Sequence, residues 1–319
     1  MNTQTQTFES ITVFGAANMD ICGTPEGVLV PRDSNPGTIR TALGGVGRNI
    51  AHNLTLLGNR VRFISAIGED VYGRQILDSL NALGIDTREC IIARDDPTST
   101  YLYITREDGE MELAVNDMRI YRHMTPAFIA ARAHLLSESA LIVVDANLPA
   151  ETLEAICRTS PRPVFAEPVS CAKARRLSGV LDAIHTVTPN LAEAEVLSGR
   201  AIDPADPASL MAAAEKLLRA GVKQVIITLG AKGCFFTDGS IARTLPSLPV
   251  NMVNGNGAGD ALLSGFATGF CRGLSLEESV LLGMAAAGIT LETPLTNSPA
   301  LNYDAAWQRG PGRGAGAGN

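Results

Sequence analysis

Apolar residues along this chain fall into two patterns that alternate. Short continuous runs recur at 11–14, 61–64, 140–144, 163–166 and 224–228, the mark of strands buried on both faces. Between them apolar positions step at helical spacing. Ile50, Leu54 and Leu57 are stopped by Gly58, and 71–83 is stopped by Gly84. Residues 125–136 open with a Thr cap and Pro126, and 151–158 and 208–220 complete the set. Strand and helix in alternation predict an α/β fold: a doubly wound, mostly parallel central sheet with helices on both faces.

Two stretches break the rhythm. Residues 100–115 alternate as a hairpin around Asp108-Gly109, and 22–41 are rich in Pro and Gly with no helical period. Both are too polar for the central sheet. They read either as two decorative hairpins or as one small antiparallel β-sheet. Such a sheet, built from 22–41 and 99–118, would be a lid over the carboxyl ends of the strands. The main domain then comprises 1–21, 42–98 and 119–308. The glycine-rich residues 309–319 read as a disordered tail. No repeat of solenoid period occurs.

Composition narrows the classes. Lys+Arg is 26 and Asp+Glu 33, a net charge of −7, which gives no basic footprint for nucleic acid. Residues 1–10 lack the order of a signal peptide, and the apolar stretch at 280–289 is too short to span a bilayer, so a cytoplasmic protein is expected. The cysteines (Cys22, Cys90, Cys157, Cys171, Cys234, Cys271) form no C-x-x-C pair and read as reduced, buried thiols. No H-E-x-x-H occurs, so zinc hydrolysis is also demoted.

The chemistry concentrates in Val253-Asn254-Gly255-Asn256-Gly257-Ala258-Gly259-Asp260. Leu262, Phe266 and Phe270 then step at helical spacing, so a helix starts near Gly259. Glycines ahead of a helix let backbone N–H groups converge, and the helix end adds free donors and a positive dipole. Asp260 in the first turn sits beside this anion cradle. Amides can stabilise a transferring phosphoryl group while a carboxylate takes a proton from the attacking hydroxyl. Equally, the acid could simply complement the helix dipole. There is no Gly-Lys-Ser/Thr of a Walker loop, and no dinucleotide G-x-G-x-x-G, which leaves a nicotinamide oxidoreductase remote.

A second cluster, Gly44-Gly45-Val46-Gly47-Arg48-Asn49, opens the helix that continues to Leu57. It suits either close approach to a small polar molecule, with Asn49 supplying an amide, or a tight strand-to-helix turn. Asn18 and Asp20, two apart on an extended segment, point to one side and suit adjacent sugar hydroxyls. They would serve equally as turn residues.

In this order the elements resemble the ribokinase-like (PfkB) family of carbohydrate and nucleoside kinases, from Val13 to about Ser298. Gly68-Glu69-Asp70-Val71-Tyr72-Gly73, Pro189-Asn190-Leu191-Ala192-Glu193 and Thr228-Leu229-Gly230-Ala231-Lys232-Gly233 also match its pattern. The resemblance implies an ATP-dependent, Mg²⁺-requiring kinase acting on a primary hydroxyl. Asp260 would be the catalytic base and Gly257, Ala258 and Gly259 the anion hole. Asn190 and Glu193 would organise phosphate and Mg²⁺ through its waters, with Thr228, Gly230 and Gly233 along the nucleotide. Asn18, Asp20, Gly44, Gly45 and Asn49 would hold the sugar. The lid would pair two subunits into a homodimer.

Within the family, residues 44–51 with 35–39 are most similar to pseudouridine kinases. Ribokinases usually carry lysine where Val46 stands, and their sugar-contacting glutamate appears here as Asn147, an uncharged amide compatible with a nucleoside base. Ser34, Asn35, Thr38, Asn116 and Asp117 are candidate base or lid contacts. Many relatives read Asp-Thr where Asn254 and Gly255 stand. That departure leaves only backbone carbonyls to hold K⁺. The rivals are a kinase for ribose or another sugar or nucleoside, and a catalytically silent binding regulator on the same scaffold.

Overall fold

The computed structural model describes residues 10–108 and 110–313. β1 (Ser10–Phe14) enters the central sheet. β2 (Asn18–Pro25) and β3 (Gly37–Gly44) then leave it, and α1 (Val46–Leu56) returns the chain to β4 (Val61–Ile64). β5 (Ala66–Gly68), α2 (Val71–Ala82), β6 (Ile91–Ala93), β7 (Thr100–Thr105) and β8 (Met111–Asp117) follow, then the short helices α3 (Pro126–Ala130) and α4 (Ala133–Ser137). The second half runs β9 (Ser139–Asp145), α5 (Ala150–Thr159), β10 (Val164–Glu167), α6 (Cys171–Ala174), β11 (Thr186–Val187), α7 (Leu191–Ser198), α8 (Pro207–Arg219) and β12 (Gln224–Thr228). β13 (Cys234–Thr237), β14 (Ala242–Leu245), α9 (Ala258–Cys271), α10 (Leu276–Leu291) and α11 (Tyr303–Arg309) complete it.

The central sheet has the order β14-β13-β12-β11-β10-β9-β1-β4, parallel from β12 to β4 and antiparallel at β13 and β14. This is the doubly wound α/β fold expected. Alternation along the strands sends Ile142 and Val144 into one core and Leu141 and Val143 into the other, so both faces are covered. From β1 the chain goes first to β4 on one side and later to β9 on the other. The crevice at the carboxyl ends of β1 and β9 is therefore where such a sheet accepts ligands.

The small sheet is ordered β3-β2-β7-β8, antiparallel in its outer pairs and parallel between β2 and β7. Its register puts Asp20, Tyr101 and Asn116 in one row and Cys22, Arg40 and Tyr103 in the next, on one face. Ile21, Ile39, Leu102, Ile104, Leu113 and Val115 share the opposite face. On this side Leu29 and Asn35, from the loop between β2 and β3, line a cavity with Ile21, Leu102 and Ile104, while Ile39 and Val115 stay 77% and 62% exposed.

Several boundaries differ from expectation. Pairing in the small sheet continues to Asn18 and Gly44, so it begins before residue 22 and ends after 41. The hairpin turn spans 106–110 rather than two residues, with a register shift at Ile104/Thr105; Gly109 lies outside the described residues. The helix expected over 125–136 breaks at Arg132, whose φ of −117° leaves the helical region. Its guanidinium lies over the Phe128 ring and pairs with Glu89. Residues 309–313 are not a disordered tail: Arg309 closes α11 on Glu292, and Pro311–Arg313 form a 3₁₀ turn, while 314–319 lie outside the described residues. Of the six thiols, Cys157 and Cys234 are buried and Cys171 is exposed. Among the described residues no helix is long and apolar enough to cross a membrane.

Candidate active site

Asp145, the last residue of β9, organises the crevice. Its Oδ2 accepts from the backbone N–H of Ala16 and Gly47 at 2.7 Å each, and Oδ1 accepts from Asn147 N at 2.8 Å. One fully buried carboxylate thereby ties the end of β1 to the start of α1. The approach is so close that a Cβ on Gly47 would strike Gly15 Cα at 2.6 Å. Gly45 caps α1 with φ 97°, and a Cβ there would meet Ala17 Cα at 2.5 Å. The turn reading of this glycine cluster thus has a complete steric account.

The same turn aims Asn49. Its Nδ2 donates to Asp260 Oδ2 at 2.9 Å, joining α1 to the first turn of α9. Asp260 is buried at 8% exposure, and that burial pushes its carboxyl up to about 7. The Asn49 hydrogen bond pulls it down, Asp145 adds repulsion, and the charge of Arg48 pulls it down again. Gly257 caps α9 in the left-handed region with φ 80°, and no side chain caps the helix. By contrast α7, α8, α10 and α11 are capped by Asn190, Asp206, Ser275 and Asn302. As in α1 and α5, no side chain caps the first amides of α9, at Ala258 and Gly259, and a Cβ on Gly259 would meet open space.

At the root of the small sheet, Asn18 Nδ2 donates to Asp20 Oδ1, so the pair does share a face. Burial lifts Asp20 to about 6, against the Asn18 bond and the charge of Arg48. Asn116 lies in the Asp20 row of the sheet and Thr38 two rows away, opposite Thr24. The structure does not bring Ser34 to Asp20. It lies in the loop beyond Pro25, five strand residues or about 16 Å along β2.

Further along the carboxyl ends, Asn190 and Thr228 bridge β11 and β12. Asn190 and Glu193 cap each other: Glu193 N donates to Asn190 Oδ1 and Asn190 N to Glu193 Oε2, both at 2.9 Å. The Asn-x-x-Glu motif therefore starts α7 at the carboxyl end of β11. Gly230 is exposed. Gly233 is fixed by its turn, with φ 101° against Leu245 and Pro246.

Four residues without a role in the sequence reading belong here. Glu167 ends β10 fully desolvated, which holds its carboxyl well above the ordinary range, opposed by Thr188 Oγ1 donating at 2.6 Å. The charges of Asp260 and Glu193 push the same way as burial. Lys173 Nζ donates to the Asn147 side chain, and burial lowers its pKa. Arg48 Nη1 donates to Leu43 O, Asn49 Oδ1 and Asn297 Oδ1, and Asn297 Nδ2 returns to Asn49 O and Asn53 Oδ1. The available signal was a charge closing a continuous apolar strand (Glu167) or breaking an apolar helix face (Arg48).

Comparisons with known proteins agree with this architecture. The chain is 35% identical over 295 residues to the pseudouridine kinase of Escherichia coli K12, covering 92% of this chain and 93% of that one. It superposes on a carbohydrate kinase from Agrobacterium tumefaciens with TM-score 0.82 and 31% identity, covering 95% and 97%. A ribokinase from Thermotoga maritima gives TM-score 0.84 at 26% identity, covering 94% and 98%. The pfkB family carbohydrate kinase model matches residues 9–302. With that match running from β1 through the α9 loop to the start of α11, the chain belongs to the pfkB family of carbohydrate kinases, phosphotransferases with an alcohol acceptor.

Proposed function

We propose that this enzyme transfers the γ-phosphoryl group of ATP to the 5′-hydroxyl of pseudouridine. The observation that carries the reading is the buried Asp260 carboxylate, steadied on one oxygen by Asn49, beside helix amides that no side chain caps. Its Oδ1 takes the hydroxyl proton while the amides of Gly257, Ala258 and Gly259 hold the transferring phosphoryl oxygens. A carboxyl near 7 suits the task, because a base works best when its pKa lies close to the operating pH. Asn18, Asp20 and Asn49 orient the ribose. Lid closure over the Asp20 row excludes water, which would otherwise accept the phosphoryl group.

For the nucleoside, support comes from the E. coli pseudouridine kinase match and from Asn147. Held by Lys173, that amide offers a neutral hydrogen-bonding edge. Asn190 and Thr228 flank the nucleotide. Two buried carboxylates, Glu193 and Glu167, both lie above ordinary acidity, with Glu193 adding repulsion to Glu167. A divalent cation relieves such repulsion, so the residues fit Mg²⁺. When bound, Mg²⁺ supplies positive charge against the phosphate oxygens. With Asn254 turned to Pro294 O at 3.1 Å, turnover is expected without a K⁺ requirement. The exposed part of the lid's apolar face, at Ile39, Leu113 and Val115, is assigned to a second copy of the chain. Side-by-side kcat/KM for pseudouridine, uridine and ribose tests the substrate; a clear win for ribose makes the enzyme a ribokinase.

A further inference from the structure

Arg48 is 5% exposed yet charged; its two terminal nitrogens bond inside the fold, while Nε is buried without a partner. Nη1 fans out to Leu43 O at 3.1 Å, Asn49 Oδ1 at 3.0 Å and Asn297 Oδ1 at 2.8 Å, and Nη2 faces His52 Nδ1 at 3.3 Å. Since Arg48 only donates, Asn49 must turn its oxygen toward it, which turns Nδ2 toward Asp260. An amide flipped the other way would set two acceptors against each other.

We propose that Arg48 is a positioning residue for the base. Through Asn49 it fixes the donor on Asp260 Oδ2, and its buried charge favours the ionised form of that carboxylate. This rests on the reading of Asp260 as the base. The groups facing Asp260 make the charge necessary. Asp145 from β9 and Glu167 from β10 are acidic, and the last three turns of α10 carry no charge at all. From α1, His52 is pushed down to about 4 by burial and by Arg48, and so is neutral at working pH. Arg48 is thus the cation that acts on both Asp20 and Asp260. Burial lowers it to about 10, well above neutrality, so it stays charged.

The test is the pH profile of kcat for wild type, R48M, R48K and N297A, with acceptor and ATP saturating. The Asp260 carboxyl is titrated in parallel by ¹³C NMR of the free enzyme and assigned with D260N. In R48M the acid limb and the NMR midpoint should both rise by about one pH unit. At pH 6 kcat then falls about tenfold, while at pH 9 it stays within about twofold. R48K and N297A, which keep the cation but loosen the fork, should move part of the way. They carry the test should R48M fold poorly. Loss of kcat by the same factor at every pH, or an unmoved NMR midpoint, overturns the inference. Near-normal turnover in D260N instead overturns the base assignment, while the NMR midpoint still reports on Arg48.

Discussion

Asn49 and Asp260 stand 211 positions apart and meet through one 2.9 Å hydrogen bond. That contact joins the glycine turn after β3 to the glycine turn before α9. It places an amide and a carboxylate at the mouth of one crevice, with Asp20 entering from the lid side. Asp145 makes the arrangement rigid by gripping Ala16 and Gly47 from below.

Burying Asp260 costs stability in a pH-dependent way. Its carboxyl titrates near 3.8 when unfolded and about 7 when folded, so folding favours the protonated form. That contribution is fully present below pH 3.8 and is lost as pH rises to 7. D260N cannot ionise and escapes the loss. Urea unfolding should show its stability relative to wild type growing by about 3 kcal/mol between pH 5 and pH 8. A gap that stays constant with pH would mean the carboxyl is not perturbed.

Gly259 separates structure from chemistry. A Cβ there meets nothing in the protein, and alanine favours helix by up to about 1 kcal/mol. G259A should therefore melt at or above the wild-type temperature yet turn over at least about tenfold more slowly, because the methyl occupies the space of the phosphoryl group. Normal kcat in G259A would remove the α9 start from the anion site.

The Asn190–Glu193 box makes two opposed predictions. N190A loses a helix cap and should cost about 1 kcal/mol, a fall in Tm of a few degrees. E193Q keeps both capping bonds, so its Tm should stay within about a degree. Its half-saturating Mg²⁺ concentration should nevertheless rise severalfold. An E193Q enzyme with unchanged Mg²⁺ dependence would leave Glu193 a purely structural residue.

Light scattering on purified protein should give the mass of two chains. Placing a charge on the apolar lid face, in I39D or L113D, should return it to one, since both positions are solvent-exposed in the single chain. A wild-type monomer would leave that face without its assigned occupant.

Where the sequence was readable, one local signal sufficed. The runs 140–144 and 224–228 became β9 and β12, and glycines ahead of a helical pattern located the start of α9 to within a residue. The unread parts depend on contacts distant in the chain. Arg132 leaves its helix to cover Phe128 and reach Glu89. Arg48 is held in part by Asn297, 249 positions away. Glu167 owes its raised pKa first to burial and then to the charges of Asp260 and Glu193, on α9 and α7. Conversely, Asn-x-x-Glu read as a ligand pair is also a helix start, and Gly45 is explained by its left-handed φ before any sugar is considered.

Coupled ADP release measured for wild type and D260N, with pseudouridine, uridine and ribose as acceptors, bears most directly on the proposed chemistry. The expected result is turnover greatest with pseudouridine, and a drop of about 10²–10⁴-fold in D260N with acceptor affinity little changed. Undiminished ADP release from D260N, or release that does not depend on any acceptor, would contradict it.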